Sequence, residues 1–457
     1  MKKIVFSLLA GFATMSASAC FAVIAGKNTT KDGSVMFAHD EDDSGEQMLN
    51  VYQVPRGAVG DNVKYTWFEF PGMKVADAFI NEYGVACASD GCQSREDVED
   101  YTDGGVVYEV RTLIAQKAHS AREAVKLVGD LVTARGYADS GRTYLVADSK
   151  EGWMISLVRG RRWVAYRIPD DKVMALPNNY IIDRVDLSDT ENFAGSPDLA
   201  EYAQKRGWWN PAEGPFSFRR AYASPKQYDS PRNYMRQIHA LEILSGLTFE
   251  EDPNKLPICV TPKRKVDKEL LMEVLACHFG TPDQPGMHPG GICTSVDIMA
   301  AIFQLRSDVP VEIGAMGWVA AGHPCIEAFL PWYSGMTKSP EGFCRYATAK
   351  EAVDKHFTDA KDKQVNYPDA NAWVFTERWK KANTTNYANV VGDIAARNRK
   401  FQKKWFAEQV KFEASLKKYY DPKTGRVTNR VALEKALNDF AAKAYREYFK
   451  MLAKEKL

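Results

Sequence analysis

Two apolar runs around a turn signal, Phe21-Ala-Val-Ile-Ala25 and Ser34-Val-Met-Phe-Ala38 on either side of Lys31-Asp32-Gly33, constrain this chain more than any other stretch. Short apolar segments joined through a Gly-containing turn predict a β-hairpin. Neither run alternates with polar residues, so both faces of the hairpin must be covered by other parts of the chain. With 457 residues, 45% of them hydrophobic, the chain has material for a large core and for an extension beyond it.

What precedes the hairpin gives it a chemical meaning. Lys2 and Lys3, an apolar run from Ile4 through Met15, and Ala17-x-Ala19 predict a secretory signal over 1–19, with cleavage after Ala19. Cys20 would then begin the mature chain and carry a thiol and a free α-amine on one residue. The amine titrates near pH ~8 and the thiol near ~8.5. The amine can therefore accept the thiol proton and return it to a leaving group, a minimal catalyst for amide cleavage. Folding the hairpin about Lys31 and Asp32 brings Cys20 opposite Asp42 to within about one residue of register. A carboxylate there can orient the amine. The alternative for a cysteine in this place is a lipid anchor, although Ala17 stands where lipoprotein signals usually carry a larger aliphatic residue.

Further strand-like runs follow at Leu49–Val54 and Val63–Phe70, then Asn81-Glu-Tyr-Gly-Val-Ala-Cys-Ala-Ser-Asp90. Apolar residues at 110, 113, 114, 118, 121, 125, 128 and 131 predict a layer helix from Val110 to Arg135, with His119 on its surface. Strands are expected at Thr143–Ala147, Trp153–Val158, Trp163–Ile168 and Val173–Leu176, the last ending at Pro177-Asn178-Asn179. The stretch from Trp208 to Asp229 is rich in Pro, Gly and aromatics and predicts irregular structure with short helices. Final strands are expected within Ile298–Arg306, Ile313–Ala320 and Ile326–Pro331. After about residue 343 the chain turns Lys- and Glu-rich with helical spacing, Phe401, Trp405, Phe412 and Leu416, then Leu433, Leu437, Phe440, Ala444 and Tyr448. These residues predict a helical C-terminal extension (344–457) on a core of residues 20–343. Composition and pattern together specify an α+β chain.

The stretch Cys20-Phe-Ala-Val-Ile-Ala-Gly-Lys-Asn-Thr-Thr-Lys-Asp-Gly-Ser-Val-Met-Phe-Ala-His-Asp-Glu-Asp42 resembles the opening of the dipeptidase A type cysteine peptidases. These are N-terminal-nucleophile hydrolases related to penicillin V acylase and bile salt hydrolase, and the resemblance recurs to about Ser334. It implies a four-layer αββα sandwich and hydrolysis of dipeptides without a cofactor. By the same resemblance Cys20 is the nucleophile and Asp42 its partner, and His39 stands where the family usually has arginine. Asn178 lies near the nucleophile and can supply an oxyanion NH. Ser89, four residues after Val85, matches an oxyanion contact of the acylase relatives. Within Ser230-Pro-Arg-Asn-Tyr-Met-Arg236, Arg232 is the best match to their active-site arginine and Arg236 the second. Plain readings stay open beside these: a turn for Ser89 and for Asn178, and helix-surface salt bridging for either arginine.

The formal charge of +1 gives no reason to expect nucleic acid or an anionic membrane as a partner. Apart from the signal, no apolar run approaches the ~20 residues of a membrane span. The expected product is a secreted or periplasmic enzyme acting on small peptides, with homo-oligomerisation left open. Of the eight cysteines, Cys87 and Cys92 are near enough in sequence to pair across a turn. His278, His288, Cys293 and His323 invite a metal, but their spacing fits no known zinc pattern, so no metal is expected. The enzyme alternative is an amidase acting on N-acyl amino acids. The alternative from another class is a lipid-anchored binding protein with Cys20 blocked.

Overall fold

The computed structural model describes residues 20–43, 48–282, 285–358, 372–385 and 387–455; the signal segment over 1–19 lies outside the described residues. Among the described residues fifteen strands form two antiparallel sheets. The first sheet centres on the hairpin of β1 (Phe21–Ala25) and β2 (Val35–Asp42), paired with Ile24 opposite Phe37 and Phe21 opposite Asp40. Asp32 builds the turn by accepting hydrogen bonds from Ser34 N (3.2 Å) and Ser34 Oγ (2.6 Å), and Gly33 takes φ +76°. That sign of φ is open to glycine at little cost.

The second sheet begins with β3 (Asn50–Val54), β4 (Tyr65–Glu69), β5 (Ala78–Asn81) and β6 (Ala86–Gly91). It continues through β7 (Arg142–Ala147), β8 (Gly152–Leu157) and β9 (Trp163–Arg167) to the short β11 (Phe193–Gly195), in the order β11-β9-β8-β7-β6-β5-β4-β3. The chain returns to the first sheet with β10 (Val173–Leu176), β12 (Cys259–Val260), β13 (Asp297–Leu305), β14 (Ala315–Ala320) and β15 (Leu330–Tyr333). That sheet runs β12-β10-β1-β2-β13-β14-β15. The hairpin is thus flanked on both sides and fully buried, as its unbroken apolar runs require.

Alternation along the second sheet separates two cores. On β7, Leu145 and Ala147 face the first sheet, whereas Tyr144 and Val146 join the apolar side of α1 (Tyr108–Lys117) and α2 (Ala121–Arg135). The single helix expected from Val110 to Arg135 is two. Ser120 caps α2 by accepting from Glu123 N, and the Glu123 carboxylate reaches back to His119 N–H (2.8 Å). The Ser120-x-x-Glu123 pattern is that of a capping box, and it outweighs a hydrophobic period that runs on across the break. His119 is exposed.

Short helices α3 (Leu199–Lys205), α4 (Phe218–Tyr222) and α5 (Pro225–Tyr228) lead to α6 (Pro231–Ser245) and α7 (Lys268–Leu275), which pack on the outer face of the first sheet. The layers are therefore αββα. Beyond α8 (Val311–Gly314) and α9 (Ala349–Lys355) come α10 (Trp373–Thr385), α11 (Tyr387–Leu416) and α12 (Arg430–Leu452). Leu437, Phe440 and Tyr448 share one core with Trp332 and Tyr333 of β15, and Tyr448 OH accepts a hydrogen bond from Ala328 N (2.8 Å).

Cys87 and Cys92 do not pair. The strand runs straight through Ala86–Gly91, which leaves Cys87 in the core under α1 and α2 and Cys92 in the core between the sheets. None of the eight cysteines forms a disulfide among the described residues.

Candidate active site

Cys20 stands at the entry to β1, fully buried. Its Sγ lies 3.1 Å from Glu41 Oε1. Extending the Phe21–Asp40 pairing by one step puts Glu41, and not Asp42, across from Cys20. Glu41 lies within the one residue of register expected around Asp42, but in a strand one step changes the face. Glu41 and His39 share the face of Phe37, which looks between the sheets toward Phe303 and Phe68. Asp42 points to the opposite face, where it pairs with Asp297 of β13.

On the cleft side His39 Nε2 is 2.9 Å from Asp90 Oδ1 and 3.9 Å from Glu41 Oε2. His39 thus bridges the two sheets through carboxylates, a different task from the point of positive charge that an arginine would place there. Asp90 belongs to the segment singled out in the sequence, but its neighbour Ser89 does not reach the cleft. Ser89 follows Cys87 onto the helix-facing side of β6. There its Oγ accepts from Arg111 Nε (3.1 Å) and Arg142 Nη1 (3.3 Å), and its carbonyl also accepts from Arg142 Nη1 (3.2 Å).

Burial pushes the Cys20 thiol well above its ordinary value. The charges of Glu41, Asp90 and Asp42 add to that rise, and only Arg142 opposes it. Glu41 is likewise raised by burial, against the pull of Arg111 and Arg142. Thiol and carboxyl therefore compete for a proton in a dry pocket, so a thiolate forms here only when a base takes the proton away. Asp297 is held high by burial and by Asp42, while Thr294 donates to it from its amide (3.0 Å) and hydroxyl (2.8 Å).

A second wall comes from β10 and α6. The pairing ends with Ala22 opposite Leu176, and two further steps along that register, past the end of β10, would bring Asn178 opposite Cys20. Asn178 is held from three sides: its Oδ1 accepts from Arg236 Nη1 (2.9 Å), and its carbonyl accepts from Gln227 Nε2 (2.7 Å) and Asn233 Nδ2 (3.2 Å). Its Nδ2 is buried with no hydrogen-bond partner among the described residues. An amide donor fixed in this way is pre-oriented for an oxyanion. Arg236 is buried, and its guanidinium sits 5.3 Å from the Phe21 ring. Arg232, one turn earlier, is exposed, with Arg236 and Asp42 as its charged neighbours. The fixed arginine of the site is therefore Arg236.

Arg111, Arg142 and Asp90 were missed in the sequence as functional residues. Arg111 gave a signal, since it shares the buried side of α1 with Val110, Ile114 and Ala115. Arg142, opening an otherwise apolar strand, gave a weaker one.

Among the described residues two groups could hold a metal. One is Cys20, His39 and Asp90; the other is His278, His288, Cys293 and Cys325, remote in sequence from the hairpin. His323 is not in the second group. Its ring lies 5.7 Å from that of His288, and Cys325 supplies the fourth ligand atom instead.

Residues 98–359, more than half of the chain, match the model of peptidase family C69. The chain belongs to peptidase family C69. The matched region carries Asn178 and Arg236 and starts after the hairpin that carries Cys20. Curated relatives include a "Probable dipeptidase" of Salmonella dublin, 27% identical over 360 residues that cover 70% of this chain and 81% of that one. They also include "Dipeptidase A" of Lactobacillus helveticus, 26% identical over 392 residues, 75% of this chain and 80% of that one. Among solved structures, penicillin V acylase from Agrobacterium tumefaciens covers 72% of this chain and 89% of its own at 14% identity, with a TM-score of 0.37.

Proposed function

We propose that this C69 peptidase is a secreted dipeptidase whose nucleophile is the Cys20 thiol, activated by the α-amine that signal cleavage after Ala19 would release. The observation that carries this reading is a buried thiol whose acid neighbours all oppose ionisation. Such a thiol is inert until a neutral base stands beside it, and the amine of its own residue is the nearest one that chain cleavage can supply. The amine takes the thiol proton, sulfur attacks the peptide carbonyl, and Asn178 Nδ2 with a backbone NH receives the oxyanion. The ammonium then protonates the leaving amine, and water hydrolyses the thioester by the same relay. Asp42, whose charge reaches Cys20, is suited to hold the ammonium form.

The charge around the thiol favours a dipeptide over an N-acyl amide. Asp40, Glu41, Asp42, Asp90 and Asp297 are all buried here, faced by Arg111, Arg142 and Arg236. Burial raises Asp40, Glu41, Asp90 and Asp297, so a substrate bringing its own α-ammonium would favour their ionised forms, and the exposed Arg232 suits its carboxylate. The N-acyl amino acids cleaved in the alternative reading carry no such cation.

The decisive comparison uses protein shown by mass to begin at Cys20 and protein with one residue more. The extra residue turns the amine into a peptide nitrogen, and turnover of a dipeptide panel should fall by ~10²–10⁴. Equal rates would remove the amine from the mechanism. Faster cleavage of N-acyl amino acids than of any dipeptide would move the enzyme to the amidase reading. Fatty chains on Cys20 in the mature protein would leave a lipid-anchored binding protein.

A further inference from the structure

We propose that His278, His288, Cys293 and Cys325 bind one Zn²⁺ in a closed tetrahedral site that pins the described segments 277–282 and 285–293 beside the catalytic centre. Ligand atoms of all four residues lie within 4.8 Å of one another. His278 Nε2 and His288 Nε2 are 3.1 Å apart. Cys293 Sγ is 3.4 Å and Cys325 Sγ 3.6 Å from His288 Nε2. Tetrahedral zinc with ordinary Zn–N and Zn–S lengths separates two nitrogens by ~3.3 Å and nitrogen from sulfur by ~3.6 Å. The four side chains thus surround a point at which the ion fits with little movement.

The donor set selects the metal class. Two imidazoles and two thiols are soft to borderline ligands, suited to zinc and unsuited to magnesium or calcium. Both sulfurs bind as thiolates, and the two thiolates cancel the ion's charge, so the site ends neutral. With all four positions filled by protein the ion would hold structure and perform no hydrolysis. The sequence hid the site because its ligands span 278 to 325 without paired spacing.

The backbone is shaped to bring them together. Gly291, at φ +151°, pairs with His278, and a Cβ there would lie 2.5 Å from Cys277 O. Ile292 N and Cys293 N both donate to Cys277 O (3.0 and 3.2 Å), which folds the loop back on itself. Tyr387, opening α11, packs its ring 4.7 Å from that of His288, so the site also joins the C-terminal helices to the loop. One contact must change on ligation. Gly290 N–H lies 3.1 Å from His288 Nδ1 and keeps that ring's proton on Nε2. Zinc would displace it to Nδ1, and turning the Pro289–Gly290 peptide, which glycine permits, would offer a carbonyl to receive it. The loop reaches the catalytic residues through Ile292 O, 3.5 Å from the Arg236 Nη2.

The test reads metal and needs no substrate, so its outcome is separate from which amide the enzyme cleaves. The full chain is prepared with reductant and zinc, dialysed, and assayed by elemental mass spectrometry. About one zinc per chain is expected in the wild type and in Cys20→Ala, and none in the double variant Cys293→Ser, Cys325→Ser. Cobalt added to metal-stripped wild type should give tetrahedral visible bands with thiolate charge transfer, which decides the matter even where the double variant does not fold. A folded wild type without zinc, a cobalt spectrum lacking thiolate bands, zinc lost with Cys20→Ala alone, or a Cys293–Cys325 disulfide in the reduced preparation would each overturn the site.

Discussion

Among the described residues two groups combine cysteine with histidine, and their surroundings act on the thiol in opposite directions. Around Cys20 the neighbours are carboxyls, and Glu41, Asp90 and Asp42 push the thiol up. Around Cys325 burial also works to raise the thiol, but hydrogen bonds from Cys293, His278 and His288 prevail and hold it well below its ordinary value. The same side chain is therefore a guarded proton carrier in one place and a ready ligand in the other. Residue type does not decide which; the charge and hydrogen-bonding partners supplied by the surrounding strands and loops do.

The sharpest way to break this contrast is Cys20→Ala. It should lower kcat on dipeptides by on the order of 10⁴ or more while leaving the melting temperature and bound zinc unchanged. Residual turnover within tenfold of wild type would put the nucleophile elsewhere. Asn178→Ala comes next, since it removes the amide donor Nδ2, which is buried without a hydrogen-bond partner among the described residues. A loss of ~10²–10³ in kcat with KM little changed is expected; a KM effect alone would make Asn178 a binding residue.

Glu41→Gln sharpens the comparison without removing a nucleophile. An ionised Glu41 opposes the thiolate, so its loss should move the rising limb of the kcat/KM profile to lower pH. A limb that moves upward would show Glu41 acting as the base that draws off the thiol proton.

The smallest effect on turnover is expected at a third buried histidine. His356 of the loop after α9 sits 2.8 Å from Glu69 Oε1, 3.0 Å from Met73 O and 3.7 Å from Asp77 Oδ2. Burial works to lower its pKa, but Asp77 and Glu69 prevail and raise it. A histidine raised in the folded state contributes stability that is fully present below the unfolded value of ~6.5 and is lost as pH rises through the folded value. His356→Gln should accordingly cost about 2 kcal/mol at acid pH and less as pH climbs above 6.5, with kcat untouched. Denaturant melts of both proteins across that range check the trend; a gap that widens with pH would reverse the assignment.

Much of the fold was legible because it follows from local pattern. Unbroken apolar runs marked β1 and β2 as central, and most later strands fell where short apolar runs end at turn residues. The break between α1 and α2 was written in Ser120-Ala-Arg-Glu123 and was overridden by periodicity. The differences at the site have one form. Glu41 faces the thiol within the one residue of register expected around Asp42, Asp90 enters the cleft beside an expected Ser89, and Arg236, the second match, holds Asn178 one turn after Arg232.

By itself, the sequence determined which segments meet: the hairpin, the Asn81–Asp90 segment, the end of β10 and the start of α6 all reach one end of the sandwich. Tertiary structure alone decided which residue of each segment looks inward. A strand turns over at every residue and a helix presents a new face within each turn, so a single step of register changes the chemistry on display. The same holds, more strongly, for His278, His288, Cys293 and Cys325. Nothing local ties them, and only the packing of the residues around His278, His288 and Cys293 against the segment carrying Cys325 brings two nitrogens and two sulfurs around one point.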